Sequence, residues 1–167
     1  MDIAAYKLGS RHKQALRRVE SIADQAAHLV EKKLGETVGP VEIVVTDADG
    51  YHESIAAAEW RLLGTRTRSR YTLPPSFAHT TLTTSGTLIV FDAQATPEHE
   101  IDPTVVHELV HAAQIGRPGV RDAILAGIRH NHGIEKAGWF KARRQNGIVA
   151  AHEREAIRLE SLARKLR

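Results

Sequence analysis

The chain has no cysteine. Disulfides, iron–sulfur clusters and thiolate-held zinc are therefore excluded, and any metal must be bound by His, Asp or Glu. The absence also fits a reducing cytoplasm. Aromatic residues make up only 5% of the sequence, so the core has to rest on Leu, Ile, Val and Ala within the 42% hydrophobic content. No apolar run approaches the ~18 residues of a membrane span. The first twenty residues, MDIAAYKLGSRHKQALRRVE, lack the apolar core of a signal peptide. A cytoplasmic protein with no membrane partner is the expectation. Neither charge sign dominates, with a net charge of +3, but the distribution is uneven. Residues 1–116 carry 11 Lys/Arg against 15 Asp/Glu, and residues 117–167 carry 12 against 5. Such a basic C-terminal third suits solvated helix faces, or contact with an acidic substrate or nucleic acid.

What is present fits a single domain over 1–167, within the usual ~100–200 residues. From Arg11 to Leu34, apolar residues return at three- and four-residue steps, which predicts a helix ended by Gly35 and Gly39-Pro40. Val41–Thr46 is short and β-branched and predicts a strand, closed by a turn at Asp47-Ala-Asp-Gly50. A second helix is expected over His52–Leu63. Gly64–Gly86 is rich in Thr, Ser, Arg and Pro and reads as loop with room for a short extended piece. Thr87–Phe91 is a second strand. A helix beginning at Asp102 follows, then a break at Gly116-Arg-Pro-Gly119. Short helices over Arg121–Arg129 and Ile134–Arg144 flank His130-Asn-His-Gly133, and a last helix spans Ile148–Arg167. The expected class is α+β, with more helix than strand.

One segment carries chemistry. His107-Glu-Leu-Val-His111 has two histidines four residues apart, about 40° from each other on a helix at ~100° per residue. Two imidazoles so placed can reach one tetrahedral ion. Glu108 lies on the flank of that face, too displaced to be a ligand but suited to act as general base on a nearby water. Asp102-Pro103 supplies an N-cap and a first-turn proline, and Val105, Val106, Leu109 and Ala113 form an apolar stripe on the opposite face.

With these residues the chain resembles the zincin metallopeptidases, over Thr87–Phe91, Asp102–Gln114 and the last helix. The resemblance implies a minimal zincin-like domain, mostly helical with a small sheet, that binds Zn²⁺ and hydrolyses peptide bonds in a peptide or protein substrate. In such enzymes an edge strand beside the helix aligns the substrate, a part Thr87–Phe91 would fill. The string His107-Glu-Leu-Val-His111-Ala-Ala-Gln114 is similar to bacterial and phage zincins with Gln at this place. There Gln114 would support a ligand; otherwise it is an exposed residue near a helix end.

A catalytic zinc takes three protein ligands. The position of a third histidine in metzincins is Arg117 here, which removes that group. Glu153, in Glu153-Arg-Glu-Ala156, resembles the ligand of gluzincins, particularly the ImmA/IrrE-type peptidases. The sequence departs from them at Ile157, where Asn or Asp usually steadies a histidine, and at Glu160, where Ala is usual. Glu155 falls within the apolar side of the last helix and is a substitute. His132, followed by Gly133, resembles the third ligand of SprT-like proteases, which act on DNA-associated proteins, and His152 is a further option. His130, His132 and Tyr71 are candidates for stabilising the oxyanion. His12, His28, His52, His79 and His99 read as scattered polar residues. A scaffold that holds zinc without turnover is the remaining alternative, against which the intact Glu108 argues.

Overall fold

The computed structural model describes residues 1–67, 76–135 and 139–167, the last stretch with side chains from 149 onward. Among the described residues four strands, β1 (Asp2–Tyr6), β2 (Val41–Thr46), β3 (Ala78–Leu82) and β4 (Thr87–Asp92), form one sheet in the order β1-β2-β4-β3. β1, β2 and β4 run parallel, and β3 joins antiparallel to β4, with Ala78 opposite Phe91 and Leu82 opposite Thr87. The helices are α1 (Lys13–Leu34), α2 (Ala48–Leu63), α3 (Ile101–Ile115), α4 (Val120–Asn131) and α5 (Trp139–Leu159). The architecture is α+β and mainly helical. Among the described residues no helix is long and apolar enough to cross a membrane.

Alternation along the strands divides the core between the two sheet faces. Ile43, Val45, Ile89 and Phe91 meet α1 and α3 on one side, in a cluster with Val19, Ile22, Val30, Val106 and Leu109. Leu88 and Val90 point the other way, against Tyr51, Ile55 and Ala58 of α2. Covered on both faces, all six residues of β4 are buried, as expected for a strand inside a parallel array. α1 lays Ala15, Ala23, Ala26 and Ala27 among its buried residues, so helices pack closely where aromatics are few.

Several sequence expectations need correction. Thr87–Asp92 is an interior strand; the edge beside α3 is β3, which is the short extended piece within the Thr-rich stretch. β1 went unread because four of its five residues are exposed and no alternation marks it. Asp47–Gly50 is not a turn closing β2. Asp47 takes the N-cap position of α2 with its carboxylate turned to the Gly9 N–H and His12 rather than to the helix, and Gly50 sits in the first turn of that helix, where a Cβ would stand 1.9 Å from Thr46 Oγ1. The glycine is there for close packing rather than for a bend. Asp102 is not an N-cap. A 3-10 turn over Glu98–Glu100 feeds directly into α3, so the chain is already helical at Asp102. The freed carboxylate takes both ends of the Arg18 guanidinium, at 2.8 and 2.5 Å, tying α1 to the first turn of α3. Pro103 occupies a first-turn position that needs no N–H donor. Finally, α5 is continuous from Trp139 through Gly147 to Leu159 and then tightens to 3-10 over Glu160–Lys165.

Candidate metal centre

α3 is pinned by its apolar side. Val105, Val106, Leu109, Val110 and Ala113 are buried against α1 and the sheet, which turns His107 and His111 toward α5. The two imidazoles approach with Nε2 atoms 3.0 Å apart. Glu153 of α5 meets them from the other side, Oε1 at 3.3 Å from His107 Nε2 and Oε2 at 3.3 Å from His111 Nε2. One ligand atom from each of the three residues fits within 4.8 Å of the others.

Hydrogen bonding fixes what these atoms offer. The Gln114 amide nitrogen donates to the His152 carbonyl and to Glu155 Oε2, both at 3.0 Å. Those groups can only accept, so the amide oxygen must be the atom 2.8 Å from His111 Nδ1, and that ring nitrogen carries the proton. His107 Nδ1 likewise lies 2.8 Å from Glu160 Oε1 and donates to it. In their neutral forms both rings therefore aim an Nε2 lone pair at the other ring and at a carboxylate. Three electron-rich groups at such separations repel one another unless a proton or a metal cation is shared among them. The donor set, two imidazoles and one carboxylate with no thiolate, is one that could hold a divalent metal ion such as zinc.

Glu108, 6% exposed, turns from this cluster toward β3, where Thr80 Oγ1 donates to its Oε2 at 2.5 Å. Thr80 escaped the sequence reading because its strand was not delimited there. Glu155 is partnered elsewhere: it takes the Gln114 amide and, at 2.6 Å, the Arg117 guanidinium, which also holds Glu36 at 2.9 Å. Burial alone would raise the Glu155 carboxyl, but the Gln114 and Arg117 donors outweigh it and hold its pKa below the usual range. Gln114 is 1% exposed and thus an interior link between His111 and α5, not a solvated helix-end residue.

His132 is far from available. Its side chain is 1% exposed, with Nε2 2.7 Å from Glu59 Oε2 and Nδ1 2.7 Å from Thr67 Oγ1. This pair ties the end of α4 to α2 and to the segment after it. His130 Nδ1 faces the Glu135 carbonyl at 3.2 Å. Tyr71 lies outside the described residues. His152 contributes its backbone carbonyl to Gln114, and burial, followed by Arg117 and His111, lowers its side-chain pKa.

His79, read as a scattered polar residue, neighbours Thr80 on β3. Desolvation lowers its pKa, while the charges of Glu108 and Glu59 oppose the shift. Alternation sends Thr80 toward α3 and His79 to the α2 face. On that face the Tyr51 hydroxyl is buried, and burial raises its pKa, helped by the charges of Glu108 and Asp92 and opposed by the Ser76 side chain. An open cavity of about 630 Å³ lies at the N-terminal end of α3, lined in part by Gln14, Arg18, Asp102 and Arg164. None of the clustered residues lines it. No family model, curated protein or solved structure matches the chain.

Proposed function

We propose that the chain is a zinc-dependent metallopeptidase built on a zincin-like fold. The observation that carries the reading is the convergence of His107 Nε2, His111 Nε2 and the Glu153 carboxylate on one point, with Glu108 next to His107 in the same helix. His107, His111 and Glu153 would hold the ion. Bound there, zinc supplies Lewis acidity, lowering the pKa of a coordinated water toward ~7 and polarising a scissile carbonyl.

The protein's own groups do the rest. Glu108 takes the proton of the attacking water and delivers it to the leaving amine. Thr80 holds Glu108 through Oε2, which fixes the carboxylate and leaves Oε1 for proton transfer. Among the described residues β3 is an edge of the sheet, so its outer backbone groups can pair with an extended peptide alongside α3. A peptide-bond substrate therefore suits both the chemistry and the edge.

The SprT-like alternative needs His132 as a ligand, and Glu59 and Thr67 occupy both of its ring nitrogens. The test is hydrolysis of a casein-like substrate and a peptide library by zinc-loaded protein, with Glu108→Gln as control. Activity in the parent and its loss in a variant that keeps its zinc support the proposal. A fully loaded parent that cleaves nothing in either substrate set contradicts it and favours a non-catalytic zinc scaffold.

A further inference from the structure

We propose that Glu160 is the positioning residue for His107, holding the ring in the tautomer that presents Nε2. This inference rests on the metal-site reading above. It concerns a residue at which this chain departs from the zincins it resembles. Ile157, one helical turn after Glu153, is 54% exposed and has no polar atom to offer. The Glu160 carboxylate instead reaches His107 Nδ1 at 2.8 Å.

The placement follows from helix geometry. Glu160 is seven residues beyond Glu153, so the two lie about 20° apart around the axis and ~10 Å apart along it. Two carboxylates from one face of the same helix can thus flank a single imidazole, Glu153 at Nε2 and Glu160 at Nδ1. Glu160 cannot be a ligand to the same ion, because it occupies the opposite ring nitrogen.

The segment bearing Glu160 is also anchored independently of the site. Helix α5 gives way to 3-10 at this residue, and Leu162 is buried against the main core. Gln25 of α1 brackets the chain end, its amide donating to the Lys165 carbonyl at 3.2 Å and its oxygen accepting from Arg167 N at 3.3 Å. A fixed acceptor on Nδ1 raises the basicity of the ligand and sets its orientation, and losing such a partner typically costs ~10–100-fold in metal affinity.

Two readouts test the assignment on the chain of residues 1–167. The first is the His107 tautomer, from ¹⁵N chemical shifts of the imidazole in metal-free protein. The second is zinc affinity, from competition with a chromophoric chelator. The parent should show the Nδ1–H form. Glu160→Leu should give a tautomer mixture and ~10–100-fold weaker zinc binding, with thermal unfolding of the metal-free protein near that of the parent. Glu160→Gln, which still offers an accepting oxygen, should keep the tautomer and lose affinity by less than about tenfold. An unchanged tautomer in Glu160→Leu, or zinc affinity within about twofold of the parent, overturns the role. A lower melting temperature with both readouts unmoved would make Glu160 a helix-docking residue only and also overturns it. Failure of the parent to bind zinc would instead sink the metallopeptidase reading, and the metal-free tautomer would still judge Glu160 by itself.

Discussion

Replacing Gln114 by leucine removes the interior link between His111 and α5 while keeping the volume nearly constant. Three hydrogen bonds disappear: to His111 Nδ1, to the His152 carbonyl and to Glu155 Oε2. Each contributes ~0.5–1.5 kcal/mol net. The leucine regains part of this through apolar burial at a position 1% exposed. Glu155 keeps Arg117, so no lone charge is stranded, whereas His111 Nδ1 loses its acceptor. The expected loss is ~1–3 kcal/mol in metal-free protein, measured by urea unfolding in the presence of a chelator. Zinc affinity should fall ~10–100-fold in the same variant, because the ring is no longer held in one tautomer. Unfolding within about 0.5 kcal/mol of the parent, together with unchanged affinity, would refute the reasoning that Gln114 couples the two helices at the site.

Four further outcomes are expected. Glu108→Gln should retain zinc and fold yet lose hydrolysis by ~10²-fold or more, read from initial rates at saturating zinc. His132→Ala should leave zinc affinity near the parent value but destabilise the chain by ~1–3 kcal/mol, since it removes a buried imidazole and its bonds to Thr67 and the half-buried Glu59 carboxylate; chelator competition and urea titration separate the two effects. Leu109→Ala, at a fully buried position between α3 and the core, should cost ~2–5 kcal/mol in urea unfolding. Asp47 gives a pH dependence. Burial would raise its carboxyl, but the His12 imidazole and the Gly9 N–H outweigh it and hold its pKa below 3.8. A depressed folded value means stability present above the unfolded pKa and lost as pH falls through the folded one. Unfolding followed between pH 5 and pH 2 should therefore steepen less for Asp47→Asn than for the parent.

The parts visible in the sequence are those governed by local periodicity. Val41–Thr46 and Thr87–Asp92 are short runs rich in β-branched residues, and α1 and α3 show three- and four-residue apolar spacing, so all four could be placed from the chain alone. His107, Glu108 and His111 share one helix, and their relation is fixed by its pitch. Glu153 entered by resemblance, because nothing local brings a residue 42 positions beyond His111 to face it. What stayed hidden depends on partners distant in sequence. Thr80 matters only once β3 pairs with β4 and passes Glu108. Glu160 matters only once α5 docks antiparallel to α3. Asp102 looked like a cap because Arg18, its partner, is 84 residues away. Gly50 looked like a turn because its contact with Thr46 exists only after α2 folds back over the strand.

The central claim is a single zinc ion held by these three side chains, and its most direct test is a crystal structure of zinc-soaked protein with anomalous data at the zinc edge. The account requires one anomalous peak, ~2.0–2.2 Å from His107 Nε2, His111 Nε2 and a Glu153 oxygen. A peak bound elsewhere, one lacking Glu153, or none at saturating zinc would contradict it.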